Sequence, residues 1–256
     1  MANLQSHAEF VQELLADQDR RLNSVDYAGR SLPRFQYIVA LCRRMNPNGD
    51  AKVLDIGRSY MSFMLAEYYS DVATLGFPLG EHGYAHEHAG AQGERQPGRH
   101  IVFDLNDAQT RGIASSEQFN LIVFAEVLEH LFTAPELVLH ALRELLVEDG
   151  LIVCLTPNAT ALPKRIRLLR GTNPFERIRI NCNNPGHYRE YTKTELEQMG
   201  LTAGLEMVHH EFGNYRPARS FVLPRSKSQM FDVFCRMIPA FCLGQTAVYR
   251  KLPARS

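Results

Sequence analysis

The sequence predicts an α/β fold in which helices wrap a mostly parallel β-sheet. Two observations support this prediction. Short apolar segments typical of buried strands alternate with amphipathic helical segments along most of the chain. Several of the apolar segments end in polar or ionisable residues, at the edge where open parallel sheets bind their ligands. The 256 residues are enough for one well-buried domain with an appendage.

Seven strand-like segments follow one another along the chain, at 51–56, 72–77, 100–103, 119–125, 151–156, 205–212 and 245–251. Helical periodicity is found at 6–22, 32–46, 59–69, 135–147, 191–199 and 228–243. Ser31 and Pro33 are expected to open the second helix. Thr192 and Glu195 predict a capping box. The run Glu148-Asp149-Gly150 is expected to form a turn before the fifth strand.

Composition narrows the range of functions. The formal net charge is zero, which argues against nucleic acid or a strongly acidic partner. No apolar run approaches the ~20 residues that span a bilayer, and acids stand where a signal peptide would be apolar. The five cysteines are scattered without a CxxC pair, as is typical of reduced thiols. We therefore expect a cytoplasmic protein; the oligomeric state is open.

Three ionisable residues, Glu126, Glu129 and His130, directly follow the strand at 119–125. If a helical turn starts at Glu126, all three side chains share one face. Mixed carboxylate and imidazole ligands suit a divalent metal such as Mg²⁺, Mn²⁺ or Zn²⁺. The structural alternative is that these groups cap amides at a strand–helix junction.

The first strand ends in Asp55, Ile56 and Gly57. A glycine there lets the backbone approach a ligand, and the following helix N-terminus favours polar or charged groups. Many α/β proteins turn this way, so this turn alone is weak evidence for a ligand site. The evidence is strengthened by further segments at the right distances along the chain. These are Phe103-Asp104-Leu105-Asn106, Glu126–His130 and Thr156-Pro157-Asn158.

This ordered set resembles class I S-adenosylmethionine-dependent methyltransferases, over about residues 35–212. More narrowly, it is similar to the branch with EVLEH, TPN and HxREYT signatures, which includes methyltransferase types 11 and 23 and the ubiquinone-pathway and small-RNA O-methyltransferases. The third signature is His187–Thr192 here. The resemblance implies a Rossmann-like, seven-stranded, mostly parallel sheet with the last strand antiparallel and helices on both faces.

The resemblance also implies a division of the chain and a cofactor. N-terminal helices at 1–46 would cover the sheet of a methyltransferase domain at 47–256, with a substrate-side insertion at 157–190 and a C-terminal helical appendage at 213–244. The cofactor would be S-adenosyl-L-methionine. Its methionine part would lie near the first loop and its adenine near the third strand. The end of the fourth strand would line the rest of the cofactor site. The matching residues are Asp55, Gly57 and Ser59, then Asp104 and Leu105, then Phe124, Ala125 and Glu126.

Two departures from the family pattern affect the cofactor site. Ser59 and Met61 replace the second and third glycines of the first loop, and Arg58 stands beside the expected sulfonium. Pro78 occupies the place of the strand-two acid that holds the ribose, with Glu81 the nearest acid. These departures leave two readings open, an active methyltransferase and a degenerate, non-catalytic partner protein with the same fold.

The resemblance extends the ionisable cluster by one residue. In small-RNA 2′-O-methyltransferases an ExxEH group and a later histidine bind a metal, so Glu126, Glu129, His130 and His187 are the implied ligands. Without a metal, His187 or His130 would be the catalytic base that takes the acceptor proton. Four further histidines in or beside a glycine-rich loop lack ordered spacing and predict a loop rather than a metal site: His82, His86, His88 and His100.

Methyl transfer is expected to an oxygen, with a nitrogen as the alternative, of a small-molecule or glycan-like acceptor. Metal-dependent RNA 2′-O-methylation is a further alternative. Six basic residues fall in the insertion: Lys164, Arg165, Arg167, Arg170, Arg177 and Arg179. They form either a solvated helix face or a region that meets acceptor phosphate or carboxylate groups. The absence of interleaved aromatic residues argues against RNA. The apolar segment 228–243 predicts a core helix, with peripheral lipid contact as the alternative.

Overall fold

A computed structural model describes residues 27–79, 97–179, 186–215 and 227–253. They contain one seven-stranded sheet in the order β3-β2-β1-β4-β5-β7-β6. The strands are β1 (Lys52–Ile56), β2 (Asp71–Gly76), β3 (His100–Val102), β4 (Phe119–Ala125), β5 (Leu146–Pro157), β6 (Leu205–Gly213) and β7 (Gly244–Lys251). The first five strands pair in parallel, whereas β7 runs antiparallel to both β5 and β6. The predicted Rossmann-like sheet with an antiparallel last strand is therefore confirmed.

Helices cover both faces of this sheet. They are α1 (Tyr27–Met45), α2 (Tyr60–Ala66), α3 (Pro135–Glu144), α4 (Leu162–Leu169), α5 (Lys193–Thr202) and α6 (Lys227–Met237). One apolar core joins a sheet face to α3 and α5, through residues such as Leu139 and Leu196. A second core joins the other face to α1 and α2, through residues such as Ile38 and Leu65. The inner strands carry apolar side chains toward both cores, which is why their sequences read as continuous apolar runs.

Two element boundaries differ from the sequence-based expectation. Pro33 lies inside α1 instead of opening it, so the predicted start at residue 32 is wrong. Burial of Phe35, Ile38 and Cys42 on one side of this helix offsets the hydrogen bond that proline cannot donate. The segment predicted as one helix at 228–243 is two elements, α6 and a 3₁₀ turn over Pro239–Phe241.

The predicted turn at 148–150 is a bulge inside a strand. Phe119 pairs with Leu146 and Leu121 pairs with Leu151. Residues 147–150 of β5 therefore lie opposite the single residue Asn120 of β4. A Cβ at Gly150 would lie 2.9 Å from the carbonyl oxygen of Val147, so glycine permits this close approach. The strand therefore begins five residues earlier than its apolar run.

The capping box predicted for the fifth helix is confirmed. The Thr192 hydroxyl accepts from the Glu195 N–H, and the Glu195 carboxylate accepts from the Thr192 N–H at 2.8 Å. The predicted helix at 6–22, Glu81, and His82, His86 and His88 lie outside the described residues. Among the described helices, none combines the length and the apolar character that a membrane crossing requires.

Candidate active site at the carboxyl edge of the sheet

Three segments distant in sequence meet beyond the carboxyl ends of β4 and β5. They are Glu126–His130, Thr156–Asn158 and Gly186–Tyr191, and backbone hydrogen bonds join them. Tyr188 N–H donates to the Glu129 carbonyl at 2.8 Å, and Ala159 N–H donates to the Tyr191 carbonyl at 3.1 Å. The topology thus brings the EVLEH, TPN and HxREYT signatures to one place at the sheet edge where ligands bind in such folds.

The segment after β4 does not form the helical turn expected from Glu126. Glu126 has a left-handed backbone, with φ of 55°, and a short 3₁₀ turn follows over Leu128–His130. Leu128 is fully buried in the core and anchors this turn. The change of direction at Glu126 turns its side chain toward α1. Glu126 Oε2 instead accepts from Nη1 of Arg34 on α1 at 2.5 Å.

Glu129 is a fully buried carboxylate with one oxygen engaged. Its Oε2 accepts from the Thr156 hydroxyl at 2.9 Å, whereas Oε1 has no hydrogen-bond partner among the described residues. Burial raises the pKa of Glu129, and the nearby Glu126 carboxylate raises it further. A buried carboxylate oxygen without a hydrogen-bond donor is stabilised either by a proton or by a bound cation. Oε1 of Glu129 is therefore a candidate site for one or the other.

His130 and His187 face each other across the site. Their ring centroids are 4.9 Å apart with planes at 79°. Nδ1 of His130 lies 2.9 Å from the Gly186 carbonyl oxygen, and Nδ1 of His187 lies 3.2 Å from Glu190 Oε1. Both partners are acceptors, so each Nδ1 carries the proton and each Nε2 retains a lone pair. Burial lowers the pKa of both rings, and burial together with the His130 ring lowers the pKa of His187 to about 4.

Ligand atoms of Glu129, His130 and His187 all lie within 4.8 Å of one another. One carboxylate oxygen and two neutral imidazoles form a donor set suited to Zn²⁺ or Mn²⁺, and the unpartnered Oε1 of Glu129 fits a cation. Glu126, the fourth ligand implied by the resemblance, is not part of this group and is paired with Arg34. The structure thus brings together three of the four candidate ligands.

The first loop places Asp55 and Gly57 beside each other at the end of β1. Asp55 is fully buried and its Oδ2 accepts from the Ser62 hydroxyl at 2.5 Å, whereas Oδ1 has no partner among the described residues. Burial raises the pKa of Asp55 to about 8. Gly57 has φ of +82°, and no atom lies within 4 Å of the position its Cβ would take. Ser59 caps α2 and forms a capping box with Ser62.

The substitutions in the first loop have structural roles. Met61 is buried in the core shared with α1, so its side chain points away from the loop. The Arg58 guanidinium lies 5.5 Å from the centre of the Phe63 ring. The Met61 side chain therefore does not obstruct the first loop, and the Arg58 side chain lies near an aromatic ring of α2. Pro78 follows β2, and its neighbour Phe77 accepts through its carbonyl oxygen from the His100 ring at 2.8 Å.

The residues expected beside the adenine lie at the end of β3. Asp104 caps a 3₁₀ turn over Leu105–Gln109, and its Oδ1 accepts from the Asn106 backbone and side-chain amides. Asn106 in turn accepts from the Phe132 N–H at 2.9 Å, which joins this turn to the segment after His130. The Leu105 side chain is buried in the core. At β4, Phe124 is fully buried in the core and Ala125 is half-buried.

Four residues in the site had no individual role assigned from the sequence: Arg34, Thr156, Lys164 and Glu190. Three of them lie inside segments that the sequence marked, the TPN and HxREYT signatures and the basic run. Their position beside the site depends on hydrogen bonds between segments, which sequence spacing does not reveal. Arg34 lies on a helix predicted only as an amphipathic cover, and no sequence signal separated it from other surface arginines.

Comparison with known proteins identifies a sequence family. A profile described as a methyltransferase domain matches residues 34–210. No curated protein matches the chain in sequence.

Solved structures are similar to this chain in fold. A chain from the complex of the Haloferax volcanii Trm112 methyltransferase activator with its candidate methyltransferase has a TM-score of 0.61 at 11% identity, covering 96% of this chain and 99% of that one. The N-methyltransferase NodS of Bradyrhizobium japonicum WM9, bound to S-adenosyl-L-homocysteine, has a TM-score of 0.50 at 16% identity, covering 94% and 96%. A candidate methyltransferase of Bacillus halodurans C-125 has 0.53 at 13%, covering 84% and 99%.

Proposed function

The chain belongs to the methyltransferase domain family, and we propose that it transfers a methyl group from S-adenosyl-L-methionine to a hydroxyl oxygen of a small-molecule or glycan-like acceptor. One observation carries the choice of acceptor atom. Glu129, His130 and His187 form a compact ionisable group at the carboxyl edge of the sheet, next to the residues matched to the cofactor. A hydroxyl must lose a proton during methylation, and this group is equipped to take or stabilise it.

The first loop and the β3 turn fit the proposed cofactor. The unpartnered Oδ1 of Asp55 can accept from the α-amino group of its methionine part, and Gly57 lets the backbone approach. Asp104 and Leu105 would hold the adenine, and Phe124, Ala125 and Glu126 would line the remaining wall. When bound, S-adenosyl-L-methionine supplies an electrophilic methyl group on a positively charged sulfur.

The protein residues contribute alignment and proton handling. Holding an acceptor oxygen in line with the reacting bond supplies a large share of the acceleration in such reactions. His187 and His130 are neutral at physiological pH because burial lowers the pKa of each, so either Nε2 can accept the acceptor proton. Glu190 supports His187 as the base, because its contact with Nδ1 fixes the ring and leaves Nε2 free.

Glu129, His130 and His187 would hold a divalent metal, and the Lewis acidity that it would supply there would make a histidine base unnecessary. The two histidines then act as ligands instead of as bases. Glu126 has two candidate roles, as a fourth ligand or as part of the cofactor wall. The ion pair between Glu126 and Arg34 favours the role in the cofactor wall, because binding a metal would require this ion pair to break.

Cofactor binding is the first test of this function. We expect isothermal titration with S-adenosyl-L-methionine to show saturable binding, and thermal unfolding to shift upward in its presence. A ligand at 100 times its Kd stabilises the native state by about 2.7 kcal/mol. Asp104→Ala is the informative variant, with Asp107→Ala at a half-buried position in the same turn as its matched control. Absence of binding and of stabilisation at millimolar cofactor would rule the proposal out.

The altered cofactor positions support a second candidate, a non-catalytic partner protein that keeps the fold. Pro78 offers no side-chain acceptor for a ribose hydroxyl, and no acid among the described residues takes that place at the end of β2. This candidate predicts that purified protein carries neither S-adenosyl-L-methionine nor its demethylated product. Mass spectrometry of the denatured protein separates the two candidates, because copurified cofactor would eliminate this one.

A further inference from the structure

Helix α4 buries none of its eight residues. Leu162, Ile166 and Leu169 are spaced by four and three positions and form one stripe along it. Exposure increases along this stripe, from a half-buried Leu162 to Leu169 with 88% of its surface accessible. The neighbouring Leu168 is also exposed. Apolar side chains exposed together in this way are typical of a surface that binds a membrane or another protein.

Contacts on the opposite side fix the orientation of this helix. Lys164 Nζ donates to the Asn158 carbonyl oxygen at 2.9 Å and also to Glu190, so this side faces the protein. At about 100° per residue, Ile166 and Leu169 lie about 140–160° around the helix from Lys164. The apolar stripe therefore points away from the protein body.

The exposed surface continues onto the C-terminal elements. The Arg165 guanidinium lies 5.6 Å from the centre of the Phe241 ring, in the 3₁₀ turn that packs against both α4 and α6. Met237, at the end of α6, has 74% of its surface accessible. We call this region the cap surface. Its exposed apolar residues are Ile166, Leu168, Leu169, Phe175, Ile178, Phe234, Met237 and Ile238.

Positive charge is concentrated in the segment that contains α4 and the loop after it. Residues 162–179 contain six basic residues and one acidic residue, whereas the whole chain has 28 of each sign. Arg165, Arg170 and Arg177 are exposed among the apolar residues. The rest of the chain is correspondingly acidic, so the neutral total conceals a basic pole at this end of the molecule.

We propose that the cap surface docks on a bilayer surface that contains anionic phospholipid. Leucine, isoleucine and phenylalanine side chains would enter the headgroup region, while the arginines would pair with lipid phosphates. A second copy of this chain fits poorly, because two cap surfaces would bring their cations together. A nucleic acid would match the charge but would leave the exposed aliphatic side chains without favourable contacts.

Docking would also position the candidate active site. Lys164 connects α4 to Glu190, and Glu190 contacts His187, so the cap surface adjoins the acceptor side of that site. An acceptor carried at the lipid surface would then reach the site without leaving the membrane interface. The docking itself does not depend on methyl transfer, and it is tested without the cofactor.

Co-sedimentation of the full-length protein with vesicles tests the proposal. We expect binding to mixed phosphatidylcholine–phosphatidylglycerol vesicles, much weaker binding to phosphatidylcholine alone, and a loss of binding with added salt. The double variant Leu168→Ser/Leu169→Ser should bind anionic vesicles at least about 10-fold more weakly. Arg170→Gln/Arg177→Gln should lose about 30-fold, at about 1 kcal/mol per charge. Arg170→Lys/Arg177→Lys should retain binding.

Leu201→Ser on α5 and Arg111→Gln after β3 are matched controls, since both residues are exposed and lie outside the cap surface. Thermal unfolding of every variant excludes misfolding as the cause of a loss. Absence of binding to anionic vesicles overturns the proposal, as does binding that the Leu168/Leu169 double variant retains in full. A dimer in sedimentation velocity that this variant abolishes would identify the surface as a contact between copies and would also overturn it.

Discussion

Glu190 joins Lys164 to His187. One oxygen of the Glu190 carboxylate accepts from Lys164 Nζ, and the other lies 3.2 Å from Nδ1 of His187. This contact holds the His187 ring in one orientation and keeps the proton on Nδ1, so that Nε2 is the free nitrogen. Burial lowers the pKa of Lys164 to about 8, and its pairing with Glu190 spans two segments that no local sequence pattern connects.

Glu190→Gln should weaken the function of His187 without affecting the cofactor. Outer contacts of this kind typically change metal affinity or activity by about 10–100-fold. We expect a drop in kcat of this size at saturating S-adenosyl-L-methionine, and a matching loss of Mn²⁺ affinity in isothermal titration. Arg189→Gln is the control, because Arg189 is exposed and pairs with Glu195 instead. Unchanged kcat and unchanged Mn²⁺ affinity in Glu190→Gln would show that the contact has no functional role.

Metal removal separates the two proposed fates of the acceptor proton. If a cation is held by Glu129, His130 and His187, EDTA should abolish activity and added Mn²⁺ or Zn²⁺ should restore it. Thr156→Val should then lower metal affinity by about 10-fold, because Glu129 loses its hydroxyl donor. The isosteric Thr160→Val is a control, since its hydroxyl donates to Asn158 in the neighbouring turn and not to Glu129. Full activity after exhaustive chelation would assign the proton to a histidine base.

Asp55 should make the stability of the cofactor-free protein depend on pH. Burial raises the pKa of Asp55 from its ordinary 3.8 to about 8, so between these values the native state binds more protons than the unfolded state. The free energy of unfolding should therefore fall as pH rises through this window. Asp55→Asn should flatten the slope by up to ~1.4 kcal/mol per pH unit in denaturant titrations.

Asp107→Asn is the control for this slope, because Asp107 pairs on the surface with Arg111. Its pH dependence should match that of the wild-type protein. Bound S-adenosyl-L-methionine should also reduce the slope, since its cationic groups favour the ionised Asp55. A slope in Asp55→Asn equal to that of the wild type would contradict the assignment.

Arg34 and Glu126 should show coupled stability. Arg34 Nη1 lies 2.5 Å from Glu126 Oε2 in a half-buried environment, and burial raises the pKa of Glu126 while Arg34 opposes that rise. Arg34→Met alone leaves a largely buried carboxylate without its cation and should cost about 1–3 kcal/mol. Adding Glu126→Gln should recover most of that loss. Additive effects in this double-mutant cycle, measured by urea unfolding, would show that the pair contributes nothing to stability.

The sequence predicted the sheet well because each strand carries its own signal. Strands such as β1 and β4 are short apolar runs that end in ionisable residues or glycine, and such runs are legible without knowledge of their neighbours. The Thr192–Glu195 capping box is equally local, since both partners lie within one turn. The family match over residues 34–210 confirms the resemblance drawn from the ordered motifs.

Predictions that depended on local conformation alone were less successful. A turn was expected at 148–150, but Leu146 and Leu151 on either side pair with Phe119 and Leu121 of β4, so these residues form a bulge within one strand. A helical turn was expected at Glu126, but its left-handed backbone redirects the side chain to Arg34. In both places tertiary hydrogen bonds and ion pairs outweigh the local preference.

The sequence by itself determined the order of the strands along the chain, the apolar surfaces that build two cores, and the identity of the ionisable residues near the site. Only the tertiary structure decided which of these residues meet. Glu129, His130 and His187 come within 4.8 Å of one another, whereas Glu126 pairs with Arg34. The physical reason is that strand formation and capping depend on near neighbours in sequence. The partner of a buried charge is set instead by chain segments that only the packed sheet brings together.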